Sequence, residues 1–461
     1  MILRVLPWYR VNPLTKIIYD GNIIQTRWRT LTVFSNKIGR ACKTMRRLKW
    51  LFAIILLWGC ASVLKVHDIP EVRLDQAAFF PTIEAHTNAP ILAGNHIDVL
   101  RNGDETFPVM LREIKHAQST ITMAQYLYED GAIAHEFAEA FADRCRAGVS
   151  VNILLDDHGS QKAPSDIIKM MKDFGCHVEY FRRVKVEGII FPWRLLRYNY
   201  RSHRRILVID GRVGFTGGYG ISEAWTGNGR TPEHWRDTNA RIEGPAVKFL
   251  QSGFAESWLE ATGVVIGGKA FFPPLEARGD VPAQIVKSSP TGGSFQSYML
   301  FLLSINSAQK TIAITNPYFI PDEVMTEALV KAVARGVKVF VLAPAKIDSQ
   351  LAYTVSRGHY GPLLRGGVQI FEYQVCLLHA KTMVVDGVWA TLGSTNFDNR
   401  SFALNQEINL TVYDHAVATR LEEIFHEDLK YAKQVTYEEW KSRGIYERLV
   451  ELFAFPVKDQ L

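Results

Sequence analysis

A chain of 461 residues, 47% hydrophobic and 22% charged, is long enough for two or three domain-sized cores and has no collagen-like, low-complexity or disordered signature. The net charge of +6 is unevenly placed: of the 53 Lys and Arg, 11 lie in the first 49 residues, which hold one of the 47 acids. A leader of +10 therefore precedes a body of −4, and the charge gives no ground for a nucleic-acid partner.

Residues 1–64 read as a basic leader followed by a signal or anchor segment. MRRLK at 45–49 precedes Trp50 to Leu64, a run without a single charge. That run is short of the roughly 20 residues a spanning helix needs, and close to the apolar core of a signal peptide. The segment contains Leu-Trp-Gly-Cys, which resembles the lipobox of bacterial lipoproteins, with Cys60 as the lipidated residue and 45–59 as its signal. The alternative is an uncleaved anchor with its basic side inside. Either reading attaches the chain to the bacterial cell membrane and puts the body on the periplasmic or outer side. Among the other cysteines, Cys42, Cys145, Cys176 and Cys376 make no CxxC or Cys/His cluster at metal-ligand spacing. Cys145 and Cys376 sit among apolar neighbours and read as inert core thiols, and nothing in the sequence argues for a disulfide.

Beyond the leader one succession of elements appears twice. A helix pattern at Phe107–His116 leads into the strand TITMAQYLY, and another at Tyr298–Ala308 leads into TIAITNPYF. Helices at 131–147 and 322–335 then feed GVSVNILLDD and GVKVFVLAP through a helix-ending glycine. GCHVEYF and GVQIFEY follow as further strands. Strands alternating with helices predict an α/β fold with parallel sheet and right-handed crossovers. Two similar lobes are predicted, 88–262 and 281–440, joined by a Gly- and Pro-rich linker at 263–280, with a C-terminal helix at 441–461.

The repeat sharpens at HRRILVIDG (203–211) and HAKTMVVDG (379–387), within segments 198–225 and 374–401. His203, Asp210 and Gly217 recur as His379, Asp386 and Gly393 at a constant offset of 176 in the numbering. Farther on the offset becomes 170, which aligns Asp237 with Glu407. In an extended chain residues i and i+2 share a face, so His203 points with Arg205 and His379 with Lys381. Asp-Gly at 210–211 and 386–387 suits a hairpin turn, which is the plain structural role for both aspartates.

These motifs resemble HxK(x)4D(x)6G[GS] of the phospholipase D superfamily, and RSHRRILVIDGRVGFTGG, WRDTNARIEGPAV, NPYFIPD and GSTNFDNRSFALNQEIN are most similar to bacterial cardiolipin synthases. The resemblance covers most of residues 88–455 and implies two phospholipase D-like lobes sharing one interfacial active site. It implies His203, Arg205, Asp210, His379, Lys381 and Asp386 as catalytic residues, and Asp237 and Glu407 as carboxylates that orient the imidazoles. It also implies Asn396, Ser394 and Gly218 as phosphate-binding residues. Two positions depart from the pattern: Arg205 replaces a lysine, and Gly220 stands where the offset calls for an amide to match Asn396.

The implied reaction is transfer of a phosphatidyl group from one phosphatidylglycerol to another at a membrane, through a phosphohistidine, with no metal and no cofactor. The chemistry fits the residues. Fixed cations neutralise a phosphodiester, one imidazole attacks phosphorus, and the other gives a proton to the leaving alkoxide. An unperturbed histidine titrates near 6.5, so the pair is expected to hold one proton between them. The residues leave open which histidine attacks; precedent in the superfamily points to His203 as nucleophile and His379 as acid, with the reverse as the alternative. A hydrolytic phospholipase D and a non-catalytic lipid-binding protein of the same fold are the competing readings.

Three features stand outside the motif. KVEGIIFPWRLLRYNYR (185–201) reads either as a membrane-interface segment or as a loop packed on the other lobe. GIYERLVELFAFPV (444–457) has apolar residues at helical spacing, suited to core docking, with membrane contact as the alternative. Asp156-Asp157-His158 reads as a polar loop at the cleft rim rather than a metal cluster.

Overall fold

A computed structural model describes residues 66–183, 199–290, 295–444 and 447–448. The apolar segment 50–64 with Cys60, most of the 185–201 insertion and most of 444–457 lie outside the described residues. No helix among the described residues is long and apolar enough to cross a membrane.

The first lobe contributes β1 (Leu92–Arg101), β2 (Thr120–Gln125), β3 (Ser150–Asp156), β4 (His177–Phe181), β5 (Ile206–Ile209), β6 (Val213–Gly217) and β7 (Thr238–Glu243). The second contributes β8 (Val281–Ser288), β9 (Thr311–Thr315), β10 (Lys338–Pro344), β11 (Gln369–Tyr373), β12 (Thr382–Val385), β13 (Trp389–Gly393), β14 (Glu407–Tyr413) and β15 (Ala432–Val435). They form one 15-stranded sheet in the order β15-β11-β10-β9-β12-β13-β14-β8-β1-β7-β6-β5-β2-β3-β4. Read outward from the β8–β1 centre, the two halves carry equivalent strands in the same order, and only β15 has no counterpart.

In each half three strands run parallel, β2-β3-β4 and β9-β10-β11. Such strands are covered on both faces and read as nearly unbroken apolar runs. All six residues of β2 are buried. The helices that feed β3 and β10 end at Gly148 and Gly336, whose φ values of +86° and +94° turn the chain back into the sheet. The remaining neighbours pair antiparallel, so the sheet is mixed.

One buried cluster joins the lobes. Val208, Ile242, Leu250 and Phe254 from the first pack with Ile285, Val384, Leu410 and Leu421 from the second. Burial at this seam fixes how one half-site meets the other, because close-packed interiors resist sliding.

The Asp-Gly pairs form the hairpin turns between β5 and β6 and between β12 and β13. Asp210 and Asp386 have φ of +51° and +55°, and the glycines after them are also positive. Each carboxylate also takes backbone N–H groups from the start of a neighbouring strand. Asp210 accepts from Gln118, Ser119 and Thr120 at 2.7–3.2 Å, and Asp386 from Gln309, Lys310 and Thr311 at 2.7–2.9 Å.

One cysteine departs from expectation. Cys145 is not an inert thiol but is disulfide-bonded to Cys176, with Cα atoms 5.6 Å apart. The helix Ala132–Arg146 and the residue before β4 meet because β3 and β4 run parallel, so their entry points are neighbours. Cys376 is free and buried, and burial pushes its thiol up to about 11. Closing a loop of 31 residues removes about 3.5 kcal/mol of unfolded-chain entropy. Reductant should therefore lower the urea midpoint of this protein and leave a Cys145→Ala/Cys176→Ala variant unmoved. Identical midpoints with and without reductant would refute this.

Candidate active site

The two histidines do not sit inside the strands of their motifs. His203 and Arg205 lie just before β5, and His379 and Lys381 just before β12, in chain that the opposite lobe pins down. The His203 N–H donates to the Gln406 carbonyl at 2.9 Å, and the Gln406 N–H to that of Arg201 at 2.8 Å. The His379 N–H donates to the Arg236 carbonyl at 2.7 Å, and the Arg236 N–H to that of Leu377 at 3.0 Å. Each histidine is thereby held beside the residue that precedes a carboxylate of the other lobe.

The carboxylates follow this crossing. His203 Nδ1 lies 3.0 and 3.1 Å from the two oxygens of Glu407, and His379 Nδ1 lies 2.8 Å from Asp237 Oδ2. An ionised carboxylate only accepts, so Nδ1 carries the hydrogen in both rings and Nε2 keeps a lone pair. Each Nε2 faces the cation of its own motif: Arg205 Nη1 at 3.0 Å from His203, and Lys381 Nζ at 3.1 Å from His379. All six side chains are buried. Two imidazoles, two cations and two carboxylates thus form one cluster at the lobe interface.

Its electrostatics correct one expectation. Burial, with Arg205 and Lys381 nearby, lowers His203 to about 4 against the pull of Glu407. Burial and then Lys381 lower His379 to about 3 despite Asp237. Burial, assisted by Arg205, brings Lys381 down to about 7. Asp237 falls to about 2, because His379, Lys381 and Trp225 together outweigh the upward push of burial. Burial and the neighbouring cations thus favour the neutral form of both imidazoles. A phosphodiester would supply the negative charge that restores basicity to one of them.

The other candidates divide. Asp210 and Asp386 lie at the far ends of β5 and β12 from the histidines, and their oxygens are taken by backbone N–H groups. They are structural here, and do not belong to the reacting cluster. Gly218 gives its N–H to Asn239 Oδ1 at 3.0 Å, so it has none to offer a phosphate. A Cβ at this position would lie 2.3 Å from Asp237 Oδ1, so the glycine makes room for the carboxylate. Ser394 hydrogen-bonds Glu407 through its hydroxyl and takes the Ile408 N–H at 2.9 Å, which makes it a support for Glu407 rather than a phosphate ligand. Asn396 is buried with Oδ1 unpartnered; that oxygen only accepts, so it suits a substrate hydroxyl and not a phosphate oxygen. No group of three or more His, Cys, Asp or Glu among the described residues could hold a metal ion.

Several residues around the cluster were not singled out by the sequence or were given another role there. Trp225 donates its indole N–H to Asp237 Oδ2 at 2.7 Å, and its ring stands edge-on to His379 at 5.0 Å. The Tyr126 ring meets His203 edge-on at 5.0 Å. Asp156 is buried rather than at a polar rim: it accepts the Ser202 N–H at 3.0 Å, next to His203, and pairs with Arg201. The repeat marks neither Tyr126 nor the supporting role of Asp156, because the residues equivalent to them in the second lobe are Pro317 and Pro344.

Comparisons with known proteins identify the family. A family model described as the cardiolipin synthase, phospholipase D-like domain matches residues 110–258 and 302–429, one segment in each lobe. The chain belongs to this family. The major cardiolipin synthase ClsA of Bacillus subtilis is 33% identical over 79% of this chain and 75% of its own length. Cardiolipin synthase A of Pseudomonas putida is 34% identical over 76% of this chain and 72% of its own. A crystal structure of phosphatidylserine synthase from Haemophilus influenzae covers 83% of this chain and 100% of its own at a TM-score of 0.63 and 14% identity, a likeness of fold.

Proposed function

We infer that this family member is a phosphatidyltransferase that joins two phosphatidylglycerols into cardiolipin and glycerol. The observation that carries the reading is the crossed pair of His–carboxylate couples with a cation at each Nε2. His203 Nε2 attacks phosphorus while the P–O bond to the glycerol headgroup breaks. His379, which takes up a proton on Nε2 when the anionic phosphodiester binds, gives that proton to the alkoxide, and glycerol leaves. The headgroup hydroxyl of a second phosphatidylglycerol then passes its proton to His379 and attacks the phosphohistidine, breaking the P–N bond. Arg205 and Lys381 neutralise the phosphoryl oxygens throughout, and Asp237 and Glu407 hold the tautomers.

Attachment to the membrane, through residues 50–64 or a lipidated Cys60, belongs to the same reading, with the body on the periplasmic or outer side. The Cys145–Cys176 disulfide supports that side, because disulfides persist in oxidising compartments. Thiol trapping in intact cells would refute the placement if it found that pair reduced.

The catalytic reading is tested with the purified full chain and phosphatidylglycerol vesicles. Cardiolipin and glycerol should appear in equal amounts. Phosphatidic acid as the main lipid product would establish the hydrolytic alternative.

A further inference from the structure

The two carboxylates that back the histidines do not have the same surroundings, although the lobes are copies. Glu407 receives the hydroxyl of Ser394 in addition to its histidine. The equivalent of Ser394 in the first lobe, at the offset that relates the two histidines, is Gly218, which has no hydroxyl to give. A serine there has no room either, since its Cβ would overlap the Asp237 carboxylate.

The missing donor is supplied from elsewhere. Trp225 Nε1 lies 2.7 Å from Asp237 Oδ2, the same oxygen that takes His379 Nδ1 at 2.8 Å. The indole is buried. Trp235 packs on it at 4.2 Å between ring centroids, and its own backbone lies in the 3-10 turn Glu223–Trp225, which is capped by Ser222. A Cβ on Gly220 would come within 2.9 Å of Trp225 Cζ3. That explains the second departure from the repeat: position 220 lacks an amide like that of Asn396 because the indole occupies its space.

We propose that Trp225 is a positioning residue that replaces the serine hydroxyl of the other lobe. It fixes Asp237, and through it His379, for the proton transfers of the reaction. The change at Gly220 is then part of one substituted arrangement and not a loss of function. This rests on the covalent transfer reading above.

The test uses a p-nitrophenyl phosphodiester with the full chain, and the unsubstituted protein is measured first. A burst of p-nitrophenol followed by slower turnover separates formation of the phosphoenzyme from its breakdown. Absence of a burst in that protein would overturn the covalent reading itself, independently of Trp225. Trp225→Phe keeps an aromatic ring and removes the N–H. Loss of a hydrogen bond to a charged group predicts turnover lower by about tenfold or more, with the burst and KM preserved. Gly220→Asn should be harmful in the parent and tolerated in Trp225→Phe, where the clashing part of the ring is gone. Benzothienylalanine at 225, which puts sulfur in place of the N–H at nearly constant shape, should reproduce the turnover defect if the phenylalanine variant folds poorly. Unchanged turnover in the N–H-deficient proteins would overturn the proposal. So would burst and turnover falling together, or Gly220→Asn costing the same in both backgrounds.

Discussion

His203→Ala should abolish the acid-labile phosphoenzyme and reduce transfer by about 10⁴-fold or more, the size of effect seen when a nucleophile or its base is removed from a catalytic triad. His379→Ala should behave differently. It retains the attacking Nε2 with its Glu407 partner, Arg205 and a neutral ring at pH 7, since His203 lies at about 4. It lacks the group that protonates a poor leaving alkoxide and later deprotonates the acceptor. With a p-nitrophenyl substrate, whose leaving group needs no proton, the His379→Ala protein should form the adduct and then stall. Acid-quenched peptides locate the phosphorus directly. Label on His379 would reverse the assignment, and full activity with no label on either ring would remove the covalent mechanism.

Much of this site is legible in the sequence because duplication records it twice. A single His-x-Lys before a hairpin carries little weight, but a second copy with Asp-Gly in the same register identifies the histidines and cations together. The carboxylates follow from the 170 offset, and the change between offsets is itself informative. It means that the chain from Gly217 to Asp237 is longer than the equivalent chain from Gly393 to Glu407. That longer stretch holds Trp225 and Trp235, which could have been suspected from it. Which carboxylate serves which histidine is not legible, because it depends on how two separately folded halves meet. The Cys145–Cys176 bond is hidden for a related reason, since a strand and a helix separate residues that only parallel pairing makes neighbours. Asp210 and Asp386 misled in the opposite direction. They recur in the motif as regularly as the histidines, yet their regularity belongs to a turn with φ above zero and to backbone donors that need an acceptor there. Repetition shows that a residue matters in both lobes without showing whether chemistry or folding requires it.

The crossing of carboxylates between lobes leads to the last expected result. Lobe by lobe, Asp237 belongs with His203 and Glu407 with His379, but the hydrogen bonds run the other way. An amide in place of either carboxylate keeps the shape and presents N–H to Nδ1. The imidazole then carries its hydrogen on Nε2 and has no lone pair to use, and in a catalytic triad the corresponding change costs about 10⁴-fold. Glu407→Gln should therefore copy His203→Ala and suppress formation of the phosphoenzyme, although the substituted residue lies in the second lobe. Asp237→Asn should copy His379→Ala, with a normal burst of p-nitrophenol and a stalled second step. Both variants are to be compared at matched thermal stability, because buried carboxylates also support the fold. The test holds whichever histidine attacks, since each amide variant must resemble the alanine variant at the ring it touches. If Asp237→Asn instead copied His203→Ala and Glu407→Gln copied His379→Ala, the working couples would be those within each lobe, and the crossed arrangement would have no part in catalysis.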